Sequence, residues 1–261
     1  MGDILDRETY EIIVSRTSLE DNAAKVAETL VMGLEGGNKM LPFTDRVIKM
    51  LPEIKELDMG SMKFDDLYTC ITNLLSRRLT WEEGQIQEKI RRFTRLTQEK
   101  LAPAIEELLD LFELRYQEKR RFTCYLGFFN PFPRSVLSRE YWLHYDISDE
   151  VFLRASLHEI DHMILFDKWK SLYGYEGKGE PDYPEILWFL EELTIEPTLN
   201  DPRIQAILPV THTAYDSLRA IQIGGKSLTS HIQEIYDASG DMGKYLEDSR
   251  QFLQRHYAEL V

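Results

Sequence analysis

The 261 residues hold 31 lysines and arginines against 45 aspartates and glutamates, a formal net charge of −14, with 43% hydrophobic and 11% aromatic residues. Such a composition excludes a disordered or low-complexity chain and is ample for a core, while the negative charge repels phosphate backbones and argues against general nucleic-acid binding. No uninterrupted apolar run exceeds Ile186–Leu190, far short of the ~20 residues that span a bilayer. The first residues lack the basic stretch and apolar core of a signal peptide. Cys70 and Cys124 are the only cysteines, and they give neither a disulfide framework nor a CxxC pair. The expectation is a cytoplasmic chain with no membrane or nucleic-acid partner.

In chain order, the β-branched run Tyr10–Ser15 reads as a strand bounded by charged residues. Ser18 then caps a helix with Ala23, Val26, Leu30 and Leu34 at helical spacing, stopped by Gly36-Gly37. Helical patterns follow at about 45–57 and 64–79. Thr80-Trp-Glu-Glu83 reads as a capping box opening another helix, which Pro103 breaks or kinks. Near residue 121 the character changes. Phe122–Phe129 and Glu140–Tyr145 are aromatic-rich strands joined by the turn-forming Asn130-Pro-Phe-Pro133. Helices are expected at 149–173 and 184–196, with a loop carrying Gly174, Gly177 and Gly179 between them. The fold class is α+β and mostly helical, with one small sheet that the first strand can rejoin. The division is a helical N-terminal part, 1–120, and a C-terminal part, 121–261.

Within the first of those late helices, residues 158–162 read His-Glu-Ile-Asp-His. Residues four apart on a helix differ by about 40° around its axis, so His158 and His162 stack on one face. Two imidazoles so placed can hold one Zn²⁺, with Glu159 beside the metal to handle a water. Ser148 is the expected N-cap and Gly174 the stop. The competing reading is two satisfied core histidines with a solvated Glu159.

A zinc site needs a third protein ligand, and the next helix offers carboxylates. At 100° per residue Glu185, Glu192 and Glu196 fall within about 40° of each other, the pattern of a solvated acidic edge. Glu191 falls between Leu187 and Ile195, where a buried carboxylate needs a compensating charge. Glu191 is therefore the expected third ligand and Glu192 the alternative, with Glu196 one turn on as a carboxylate for a ligating histidine. Both glutamates as plain surface charges is the bland alternative.

Together these residues resemble the gluzincin branch of zinc metallopeptidases, which pairs HExxH with a glutamate from a later helix. Trp188-Phe-Leu-Glu191 is similar to the W-x-x-E stretch of membrane-alanyl-aminopeptidase-like enzymes, although Glu192 stands where a glycine is usual. The likeness covers about residues 139–200. It implies a zincin-like helix followed by a glutamate-bearing helix, Zn²⁺ on His158, His162 and Glu191 with one position left for water, Glu159 as general base, and a peptide substrate. It also implies an edge strand before the motif that pairs with substrate; Glu140–Tyr145 is the candidate, an ordinary core strand being the alternative. His212, Tyr215, Tyr173 and Tyr175 are the candidates for a donor to the oxyanion.

Two other classes compete. One is a non-catalytic scaffold or partner-binding protein that retains the metal site, against which no fourth ligand is evident. The other is a di-iron carboxylate protein, since Glu159 and His162 also fit Glu-x-x-His. No other histidine has a glutamate three residues before it, so that reading is poor.

Overall fold

The computed structural model describes residues 10–35, 41–57, 62–129, 133–174 and 180–261. Strand β1 (Tyr10–Arg16) leads into α1 (Leu19–Glu35), α2 (Leu41–Met50), a 3-10 turn at Pro52–Glu56 and the long α3 (Phe64–Leu96). The apolar stripe Leu67, Ile71, Leu75, Leu79, Ile86 and Phe93 is buried along one face of α3, as a helical period requires. Thr80 does not start a new helix. Its hydroxyl donates back to the Ser76 carbonyl at 2.9 Å, and the helix runs through unbroken. Pro103 does not break the run either: a π-helical turn at Thr97–Leu101 lets the Ala102 N–H reach the Thr97 carbonyl before α4 (Ala102–Leu111) continues. Such a bulge absorbs the bond a proline cannot make.

After α4 come β2 (Arg120–Gly127), β3 (Arg134–Ser135) and β4 (Glu140–His144), then α5 (Asp149–Tyr173) and α6 (Ile186–Leu199). The chain closes with α7 (Pro202–Ile207), α8 (Asp216–Ala220), a β5–β6 hairpin (Gln222–Ile223, Lys226–Ser227), α9 (Leu228–Ala238), α10 (Met242–Arg255) and α11 (Tyr257–Leu260). The hairpin turns on Gly224 and Gly225, both at positive φ (58° and 83°), which that tight turn demands.

The main sheet has the order β1-β2-β4-β3. β1 does return, pairing in parallel with β2 from Tyr10↔Arg120 to Arg16↔Leu126, and β2 pairs in parallel with β4. The division at residue 120 therefore crosses this sheet. β4 is not an edge: β3 covers it antiparallel, with Arg134 opposite Tyr141, and Tyr141 and Leu143 are fully buried. The outer strand on that side is β3. At Gly127 a Cβ would come within 2.6 Å of Thr17 and 2.7 Å of Asn22. That close approach lets the Asn22 amide accept from the Phe128 N–H (3.0 Å) and donate to its carbonyl (3.1 Å). The 130–132 turn, the Gly36-Gly37 stop and the glycines at 177 and 179 lie outside the described residues. Among the described residues no helix is long and apolar enough to cross a membrane.

Candidate metal centre

The helix that carries the motif begins and ends where its sequence dictates. Ser148 Oγ accepts from the Val151 N–H at 3.2 Å, Asp149 and Glu150 occupy the first turn, and Gly174 stops it in the left-handed region at φ 63°. One turn of α5 separates His158 from His162, and their Nε2 atoms lie 3.1 Å apart. Glu192 of α6 brings Oε2 to 3.9 Å from His162 Nε2, and the three donor atoms fall within 4.8 Å of one another. Donors on a tetrahedral zinc with bonds of 2.0–2.1 Å stand about 3.3 Å apart. The trio therefore has the dimensions of a metal site.

Glu191, the expected third ligand, is turned elsewhere. Its Oε1 accepts from Arg134 Nη2 at 2.6 Å, and Glu192 takes its place beside the histidines. The wheel puts Glu191 among apolar neighbours, as found, but Glu192 does not lie on a solvated edge: Glu191 is 1% exposed and Glu192 2%. Burial alone could not rank them, and the direction of α5 decides. Glu196 carries no histidine. It accepts from the Ala214 N–H at 2.9 Å and lies 3.4 Å from Arg219, leaving His162 Nδ1 buried without a partner.

Removal from water sets the charges. Burial holds His158 down at about 3 and His162 well below its ordinary value, with Arg134 adding repulsion. Burial thus favours the neutral imidazole, the form that ligates metals. Burial also pushes the acids up, Glu159 to about 7, Glu191 to about 8 and Glu192 in the same direction, while Arg134 opposes the rise in each. Arg134 is the only guanidinium within 4.0 Å of these three carboxylates among the described residues, at 3.9 Å from Glu159 and 3.5 Å from Glu192. Ionising all three against one guanidinium would leave a surplus of acid for a bound cation to meet. Glu159 Oε2 and Glu191 Oε2 are both buried without a hydrogen-bond partner. Orphaned acceptors and surplus negative charge fit a cation.

His212 is a third histidine at the centre. Its ring lies parallel to that of His158 at 6.4 Å, and it is 3% exposed with Nε2 unpartnered. Asn200 clasps its backbone, accepting from the N–H at 2.9 Å and donating to the carbonyl at 2.8 Å. Burial holds its pKa down at about 4. Tyr215 is half-exposed with its ring parallel to Trp188. Tyr173 donates instead to Glu247 at 2.9 Å, and Tyr175 lies outside the described residues. His144, His231 and His256 stand apart from the cluster, the last two engaged with the Ile223 carbonyl and Glu259. Arg134 is the residue that sequence reasoning missed. A two-residue strand has no periodicity, and nothing local marks its arginine as buried among acids. Searches of protein-family models, curated proteins and solved structures give no match to this chain.

Proposed function

We propose that the chain is a zinc-dependent peptidase, with His158, His162 and Glu192 holding the cation and Glu159 acting as general base. The observation that carries this reading is the gathering of two imidazoles, set edge to face, and one carboxylate within 4.8 Å of one another, beside a second carboxylate with a buried oxygen that has no hydrogen-bond partner. When bound, the ion supplies Lewis acidity to a water and to the scissile carbonyl. Glu159 takes a proton from the attacking water onto its carboxylate and hands it to the leaving amine. Its burial suits it to that exchange near neutral pH. His212, its backbone held by Asn200 and its ring 6.4 Å from that of His158, is the candidate to offer a hydrogen bond to the oxyanion.

Elemental analysis of the purified chain tests the site: about one zinc per chain is expected, lost in His158→Ala. No metal after zinc is offered removes the reading. Glu159→Gln then separates peptidase from scaffold. A non-catalytic scaffold that retains the metal is the second reading, favoured by the approach of Arg134 to within 3.9 Å of Glu159, the carboxylate a peptidase needs free as its base. A peptidase loses hydrolysis and keeps zinc in that variant, whereas a scaffold is indifferent to it.

A further inference from the structure

Two adjacent glutamates, both buried, share Arg134 at the border of a site that has use for one. A catalytic zinc keeps a position open for water, while a structural zinc is closed by a fourth protein ligand. With Glu192 beside the histidines, a free Glu191 carboxylate is the obvious candidate to close the sphere. That carboxylate is instead engaged by Arg134. Its Nη2 donates to Glu191 Oε1 at 2.6 Å, a short charge-assisted bond, and stays 3.5 Å from Glu192 and, through Nη1, 3.9 Å from Glu159. The guanidinium engages one acid firmly and the other two loosely. Its side chain is 18% exposed and its Nε is buried without a partner, so this is no solvent-screened surface pair. The strand pairing of Arg134 with Tyr141 fixes the backbone from which it reaches.

We infer that Arg134 is a positioning residue that holds Glu191 off the metal and so keeps the coordination sphere open. The inference rests on the zinc-peptidase reading above. Arg134→Met frees Glu191 to enter as an additional ligand. Zinc affinity, measured by competition with a chromophoric chelator, should then tighten on the order of tenfold. Turnover should fall while KM moves little. Adding Glu191→Gln to that variant should return the affinity to near the wild-type value and restore part of the turnover, whereas Glu191→Gln alone should leave the zinc in place.

Three results overturn the inference while the wild type still holds zinc. Loss of zinc in Arg134→Met makes the arginine a structural support. Tight binding that persists in the double variant reduces its role to repulsion of the cation. Loss of zinc in Glu191→Gln alone makes Glu191 the ligand. If circular dichroism shows Arg134→Met unfolded, the Glu191→Gln measurement decides by itself. A wild-type chain that holds no zinc overturns the functional reading and this inference together.

Discussion

The seam between α1 and α3 and the seam between α5 and α6 are built from opposite materials. The first buries Ala23, Val26, Ala27, Leu30, Leu67, Ile71, Leu75 and Leu79 with little but hydrocarbon in contact. The second buries Glu159, Asp161, His162, Glu191, Glu192, Thr194 and Thr198, several with atoms that have no partner. An apolar seam gains from every side chain it removes from water, whereas each of those acids costs stability unless a counter-charge meets it. One seam holds the fold together; the other spends part of that stability to hold a constellation. Buried polarity is concentrated in this one place within an otherwise ordinary core, which is why the proposed function is located there.

The largest effect should come from the polar seam. His162→Ala or Glu192→Gln should abolish zinc binding in elemental analysis and hydrolysis with it; retention of zinc in Glu192→Gln would return the ligand role to its neighbour. Glu159→Gln should retain the metal and lower turnover by about a hundred- to ten-thousand-fold in a peptide-cleavage assay. The apolar seam should respond in the other currency. Leu75→Ala should cost about 2–5 kcal/mol in denaturant unfolding, with zinc content per folded chain unchanged. Coupling between the seams is read by chelation, which should lower stability by about 2.7 kcal/mol relative to protein held at a hundredfold excess of zinc over its Kd.

The smallest effect belongs to a partly buried imidazole outside both seams. His144 ends β4, accepts from the Asp146 N–H at 3.0 Å and meets Phe128 edge-on. Burial holds its pKa down at about 4, with Arg78 and Lys89 adding to the effect and Asp146 opposing it. In the unfolded chain the ordinary value is about 6.5, so the unfolded state takes up the proton first as pH falls. Stability is therefore fully present above about 6.5 and declines toward pH 4. His144→Gln should flatten that decline by on the order of 2 kcal/mol, measured as unfolding midpoints across the range.

How far the sequence reaches follows the same contrast. The motif helix was legible to its ends because its signals are local: Ser148 caps it, Gly174 stops it, and four-residue spacing stacks the histidines. β1, β2 and β4 were legible as β-branched and aromatic runs. What was not legible is set at a distance. The choice between Glu191 and Glu192 needs the direction of α5 relative to α6, and a wheel drawn for a helix with one wet face misleads when both positions are buried. Arg134 reaches from 57 residues before Glu191, on a strand too short to announce itself. The capping box at Thr80 failed for a nearer reason, since its hydroxyl was already bonded one turn back.

The pairing of β1 with β2 joins residues 110 apart in sequence, Tyr10 with Arg120, and β4 follows on the far side. During synthesis the first strand therefore waits, unpaired, until the residues up to 120 have been made. Because ribosomes extend chains at about 5–20 residues per second, that interval is several seconds. Contacts of such long range also slow folding from the complete chain. A β-branched segment left open for that time is a hazard for association with other chains, which makes the N-terminal strand the part of this molecule most in need of protection before it is finished.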